Sequence, residues 1–204
     1  MGQTNLWEIE QSCLEDGYEL ICGVDEAGRG PLAGPVCAAA VILPANIEIP
    51  GLNDSKKLSD KRRRELYPFI MEQSIAYGIG FADHNEIDDI NILQATFLAM
   101  QRAIDALNVR PEIALIDGNR AKDFGIPVKT VVHGDSLSAS IAAASILAKV
   151  TRDDIMLKMA QEYPQYGFEI HKGYGTKAHY QALESFGPCP IHRMTFLKKL
   201  YGTQ

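Results

Sequence analysis

Long apolar runs are missing from this chain: no stretch approaches the ~20 residues needed to cross a bilayer, so no membrane span is expected. The opening MGQTNLWEIEQ lacks a basic region followed by an apolar one, so no secretory leader is expected and the chain reads as cytoplasmic. Cysteine is scarce. Cys13, Cys22, Cys37 and Cys189 form no CxxC pair, which argues against a zinc module and, in a chain long enough to build its own core, against a disulfide framework. There is no internal repeat and no low-complexity tract. Positive charge is absent from the start: no Lys or Arg precedes Arg29, whereas Glu8, Glu10, Glu15, Asp16 and Glu19 do, so this segment carries most of the formal net charge of -6.

What is present is 204 residues, 46% hydrophobic and 23% charged, the arithmetic of one globular domain, alone or with a small appendage. The net charge argues against a nucleic-acid partner, but its distribution does not. Basic residues gather at Lys56, Lys57, Lys61, Arg62, Arg63 and Arg64, and again from His171 onward, where Lys172, Lys177, Arg193, Lys198 and Lys199 face only Glu184. A phosphate backbone could lie against either stretch.

The pattern predicts an amphipathic helix over 4–16, then strands over 20–25, 35–43 and 75–82 that form a meander. Ser59 can cap a helix running to about residue 73. Beyond it, 91–107 reads as a helix, 113–117 and 128–132 as strands, and 138–162 as a long helix stopped by Pro164. Strands alternating with helices imply parallel pairing in this half. The expectation is an α/β fold, a five-stranded mixed sheet flanked by helices, over 1–164, with a small helical C-terminal extension over 165–204 that holds helices at 176–186 and 196–201.

Four carboxylates end apolar runs in this reading. Asp25 and Glu26 close the first strand, Asp117 closes the fourth, and Asp135 follows the fifth at the entrance to the long helix. If those strands are neighbours, the four acids meet at one sheet edge, where open α/β sheets keep their sites. So many carboxylates in a small volume need counter-charge, and an all-oxygen donor set selects Mg or Mn over zinc. Two such ions activate a water and stabilise the leaving oxygen of a phosphodiester. Asp153 competes for the fourth place, but it lies about 27 Å along the helix axis from Asp135, so it reads as a surface or helix-pairing residue. The run Ser140 to Ala144 is read as close helix-on-sheet packing. His133 beside Asp135 and Ser136 makes no catalytic triad, and GRGPLAG is no phosphate-binding P-loop. His171, His179 and His192, without cysteines around them, are expected to meet solvent or phosphate rather than zinc.

GVDEAGRGPLAGPV at 23–36, LNDSKKLS at 52–59, LIDGN at 115–119, GDSLSASIAAASILAKVTRD at 134–153 and HKGYGTKAH at 171–179 together resemble the bacterial ribonuclease HII family, the type 2 ribonucleases H, over roughly residues 20–197. The resemblance implies a ribonuclease H-like fold. It also implies metal-dependent endonuclease action on the RNA strand of RNA/DNA hybrids and on the 5′ side of a single ribonucleotide in duplex DNA, leaving 3′-hydroxyl and 5′-phosphate ends. By resemblance Asp25, Glu26, Asp117 and Asp135 are the catalytic, metal-binding acids, and Gly28, Arg29 and Gly30 form the ribose-sensing loop, where glycines let backbone groups approach a sugar. Tyr174 matches the family tyrosine that hydrogen-bonds the 2′-hydroxyl and packs on the neighbouring deoxyribose. Lys56 is expected to contact a phosphate, and Arg29 either does the same or holds its loop. The protein is expected to act as a monomer on hybrid and ribonucleotide-containing duplexes, with Mg2+ or Mn2+ in a two-metal site. The alternatives are another nuclease on the same fold, without the ribose-reading loop, and a non-catalytic binder or a nucleotide-dependent phosphotransferase of the sugar or acetate kinase kind.

Overall fold

Strands β1 (Ile21–Ala27), β2 (Val36–Ile42) and β3 (Ala76–Ala82) form an antiparallel meander, and β4 (Ile113–Asp117) and β5 (Val128–Val131) add to it in parallel, giving the order β3-β2-β1-β4-β5. The mixed five-stranded sheet expected from the sequence is therefore present in this computed structural model, which describes residues 5–52 and 58–202. Both layers of helix are in place as well. Helix α3 (His84–Asp105) covers one face, and α4 (Ala139–Glu162) with α2 (Asp60–Gln73) covers the other; α1 (Glu8–Glu15) packs beside β1, β4 and β5.

The period of two along β1 sorts its side chains. Cys22 and Val24 join the core under α3, while Gly23 turns to α4, whose backbone comes so close that a Cβ on Gly23 would sit 2.2 Å from the Ser140 carbonyl carbon. The small residues of α4, Ser140 to Ala144, are all buried for the same reason. Close approach of helix to sheet fixes where β1 ends, and with it Asp25.

Three elements differ from the sequence reading. Strand β1 runs on to Ala27, so Asp25 and Glu26 lie inside its last turns of pleat rather than at its end; Glu26 pairs with Ala38 and Ala27 with Cys37. Helix α3 begins at His84, not Asn91, because Asp83 and Glu86 form a capping box in which each side chain accepts from the other's backbone N–H. Asn91 nevertheless marks a real boundary: the helix kinks there (φ 65, ψ 162) and its side-chain oxygen accepts from the N–H groups of Leu93 and Gln94, capping the next segment. Helix α1 is shorter than 4–16, and Thr4 lies outside the described residues.

Past Pro164, the short helix α5 (Phe168–His171), α6 (Lys177–Phe186) and the 3-10 turn Met194–Leu197 that leads into α7 (Lys198–Tyr201) pack Phe168, Leu183 and Leu197 against Met156 of α4 and against Leu32 and Ala33 of the loop between β1 and β2. That loop is thereby held between the sheet and the C-terminal layer. All four cysteines are buried and free, and burial pushes the Cys22 and Cys37 thiols up to about 12 and Cys189 up to about 11, so none is a thiolate at neutral pH.

Candidate active site

The parallel pairing of β1 with β4, in register Val24 to Ile116, brings Asp25 and Asp117 to the same edge on adjacent strands. Asp25 is buried, and its Oδ1 accepts the N–H of Glu26 at 2.7 Å. Asp117 Oδ1 accepts the N–H of Gly134 at 2.7 Å, which ties the end of β4 to the single 3-10 turn Gly134–Ser136 before α4. Asp135, also buried, sits in that turn, one residue from the contact. His133 enters the turn in a left-handed conformation (φ 58), and Ser138 caps α4 with its hydroxyl.

A cleft of about 230 Å3 is lined by Asp25, Glu26 and Asp117 together with Gly28, Arg29, Gly30, Ser145, Lys149 and Tyr174. A second cleft, about 320 Å3, opens on the α3 side and shares Glu26, Arg29 and Asp117, so these three stand on the ridge between the two. Asp135 lines neither of these clefts. Among the described residues no three His, Cys, Asp or Glu side chains form a ready-made metal-binding group. One oxygen of each of three acids is fixed from within the protein: Asp25 by the Glu26 N–H, Asp117 by the Gly134 N–H, and Glu26 by Arg29 Nη1 at 3.2 Å. The wall offers carboxylate oxygens and neither thiolate nor imidazole, a donor set that suits a hard divalent cation.

Arg29 thus holds its own loop through Glu26, and its guanidinium is half exposed at the mouth of both clefts. Tyr174 is 44% exposed and lines the cleft, and a Cβ added at Gly30 would meet its ring at 3.7 Å, so it does not pack on the sheet. The turn around it is built from positive φ at Lys172 and Gly173; a Cβ on Gly173 would lie 2.7 Å from the Ala33 carbonyl oxygen. Lys56 lies outside the described residues.

Asp153 is neither on the surface nor a helix-pairing residue: it is buried and accepts from Lys149 Nζ at 2.7 Å, one turn earlier on α4. Lys149, which the sequence reading passed over, lines the acidic cleft, and a lysine and an aspartate four apart on a helix of otherwise apolar lining were the available signal. Glu10, counted in the sequence only as part of the acidic first segment, has a structural role. It is buried, and its Oε1 accepts from Ser138 Oγ (2.6 Å) and the Ser140 N–H (2.9 Å), so α1 supplies an anion to the N-terminus of α4. His171, His179 and His192, expected at the surface, are buried in a ring stack instead, with His171 and His179 centroids 4.5 Å apart.

Comparison with known proteins agrees with this arrangement. The family model described as Ribonuclease HII matches residues 22–199. Ribonuclease HII of Caldicellulosiruptor saccharolyticus is 53% identical over 196 residues, covering 96% of each chain, and that of Geobacter metallireducens is 53% identical over 96% of this chain and 92% of its own. Among solved structures, ribonuclease H2 from Pyrococcus horikoshii superposes with a TM-score of 0.71 at 26% identity, covering 87% of this chain and 93% of that one. Ribonuclease HII of Archaeoglobus fulgidus, solved in complex with PCNA, gives 0.72 at 26% identity, over 86% and 94%.

Proposed function

The chain belongs to the ribonuclease HII family, endoribonucleases of the ribonuclease H kind, and on that premise we propose that it cuts the RNA strand of RNA/DNA hybrids and nicks duplex DNA on the 5′ side of a lone ribonucleotide. The observation that carries this reading is the shared lining of one cleft, in which Asp25, Glu26 and Asp117 stand with the Gly28-Arg29-Gly30 loop and Tyr174. Acids at the strand ends supply the hydrolytic half of the task and the loop supplies the sugar-reading half. Asp25, Glu26, Asp117 and Asp135 would hold two divalent cations, Mg2+ or Mn2+. When bound, such cations supply an activated water and neutralise charge on the leaving 3′ oxygen, so that 3′-hydroxyl and 5′-phosphate ends result.

The protein's own residues bind and orient. Backbone N–H groups of the glycine loop and the Tyr174 hydroxyl are the donors available to a 2′-hydroxyl, and the half-exposed Tyr174 ring offers a flat surface for the next sugar. Lys149, held by Asp153, and Arg29, held by Glu26, place positive charge beside the carboxylates, where a phosphate must pass. In the cell the protein would act as a monomer in the cytoplasm. No helix among the described residues is long and apolar enough to cross a membrane.

The test is a duplex carrying one ribonucleotide, compared with the same duplex in all-DNA form, with Mg2+ or Mn2+ and with product ends mapped. Nicking 5′ to the ribonucleotide is expected in the first duplex alone; equal cutting of both would assign the protein to a sugar-blind nuclease of the same fold. Tyr174→Ala should lower the preference for the lone ribonucleotide about tenfold or more, as expected when a site loses a hydroxyl-reading group. Because the side chain is nearly half exposed, its melting temperature should hardly move. Unchanged selectivity in that variant would remove Tyr174 from sugar recognition.

A further inference from the structure

Two arginines that no part of the hydrolytic reading uses are among the most buried large side chains of the molecule, Arg152 of α4 and Arg193 near the C-terminus, at 1% and 0% exposed. Among the described residues neither is ion-paired. The nearest acids are engaged elsewhere, Asp153 with Lys149 and Asp88 with the N–H groups of Met194 and Thr195. Each guanidinium spends its fork on three backbone carbonyls instead. Arg193 donates to Gly28 (2.6 Å), Arg29 (2.9 Å) and Gly34 (2.9 Å); Arg152 donates to Ala33 (3.2 Å), Pro35 (3.0 Å) and Lys172 (3.1 Å). Five of the six acceptors belong to the one loop between β1 and β2, and the sixth precedes the Tyr174 turn.

The consequence follows from the planar trans peptide. No cis bond is present among the described residues, so a carbonyl drawn toward Arg193 sends the N–H of the next residue the opposite way. Fixing the Gly28 and Arg29 oxygens therefore points the N–H groups of Arg29 and Gly30 away from the arginine, and neither has a hydrogen-bond partner among the described residues. Gly30 lines the cleft with Tyr174, whose ring a Cβ on Gly30 would meet at 3.7 Å. Arg152 crosses the gap between the two segments: its carbon lies 5.9 Å from the Tyr174 ring centroid while its nitrogens hold Ala33 and Lys172. Gly28 leaves room for it, since a Cβ there would lie 2.0 Å from Arg152 Nε.

We infer that Arg152 and Arg193 are positioning residues for sugar discrimination: they turn the loop's N–H groups outward and lock that loop to the Tyr174 turn, through the geometry of the guanidinium fork. The inference rests on the reading of Gly28–Gly30 and Tyr174 as the sugar-reading elements. A lysine keeps the charge but cannot span three separated carbonyls.

The test is the ratio of affinities for a duplex with one ribonucleotide and for its all-DNA twin, measured with Ca2+ in place of Mg2+ for the wild type, Arg193→Lys and Arg152→Lys. Only folded molecules bind, so partial unfolding lowers both affinities and leaves their ratio alone. The wild type should prefer the ribonucleotide, and each variant should lose about tenfold of that preference or more, the value of one or two well-formed hydrogen bonds. A variant that keeps the wild-type ratio removes its arginine from the proposal and makes it a packing residue. A wild type without preference overturns the reading of the loop itself, and this inference with it. Should a lysine variant not fold, Gly173→Ala retains both arginines and drives the Tyr174 turn from Ala33; it too should lower the ratio, and an unchanged ratio there overturns the coupling.

Discussion

Replacing Asp117 by asparagine should lower metal-dependent cleavage by about 10^3-fold or more, the several kcal/mol that a cation-holding carboxylate contributes in the transition state. The fold should survive, for a local reason. Among the described residues the side-chain hydrogen bond of Asp117 is to the Gly134 N–H, which it accepts at 2.7 Å, and the amide oxygen of asparagine can accept it equally well. Removing one negative charge from a cleft that already holds Asp25 and Glu26 also relieves repulsion, so the melting temperature should stay level or rise. Hybrid binding should persist, because the Gly28–Gly30 loop and Tyr174 are untouched. Single-turnover cleavage and a thermal melt on the same preparation check both halves. Wild-type activity in Mg2+ would exclude Asp117 as a ligand; lost activity with a collapsed melting temperature would make it structural.

That experiment bears on a position readable from the chain, because strand ends carry their own markers. Asp117 follows the apolar run IALI and precedes a glycine that takes φ 102, and the register of β1 with β4 needs nothing beyond two apolar runs paired in parallel. The mixed sheet was legible for the same reason. What escaped was polar chemistry inside the fold. Glu10, Asp153, Arg152, Arg193 and the three histidines are all buried, and residue type alone assigns such groups to the surface. Each is buried because a backbone group or another side chain waits for it; for Glu10 and the two arginines those partners are distant in sequence, Ser138 for Glu10, Pro35 for Arg152 and Gly28 for Arg193. Periodicity reads neighbours within an element, so it could place α4 but not the loop that α4 holds. The start of α3 was missed differently, since the Asp83/Glu86 capping box was present in the sequence and the stronger apolar rhythm after Asn91 masked it.

Net charge illustrates the same limit. The value of -6 counts Glu10, which neutralises the N-terminus of α4, together with carboxylates that line the cleft. Lys149 and Arg29 stand beside those carboxylates, and the two buried arginines lie behind the loop. A total cannot distinguish a charge facing solvent from one facing a helix end, so the acidic sum says little about a polyanionic substrate.

The second large effect concerns acid. Stability should fall by about 3 kcal/mol between pH 6.5 and 4, because His192 is held neutral and its pKa is pushed down to about 4 by burial. The hydrogen-bond chain fixes why protonation is so unwelcome. His171 Nε2 and His179 Nδ1 face the carbonyl oxygens of Tyr166 and Tyr174, so both nitrogens must donate. His179 Nε2 is then the acceptor toward His192 Nε2 at 3.0 Å, which leaves His192 Nδ1 to accept the Cys189 N–H at 2.9 Å. Burial opposes a proton on His192 although the Cys189 carbonyl lies 3.2 Å from its Nδ1, and a proton added to His179 meets the His192 N–H; burial lowers the His179 pKa as well. The sign follows directly. In this window the unfolded chain binds a proton that the folded chain refuses, so stability is complete above pH 6.5 and is lost as the pH drops toward 4. Carboxylates contribute little until about pH 5, which leaves the upper part of the window to the histidines. Urea unfolding at pH 7, 6 and 5 should show the midpoint falling at each step. His192→Asn should start less stable at pH 7 and fall less steeply, since only His179 of the depressed pair remains. A wild-type midpoint that stays flat from pH 7 to 5 would refute the neutral chain. Because His179 holds the Tyr174 carbonyl, the turn that carries Tyr174 should loosen as His179 and His192 take up protons.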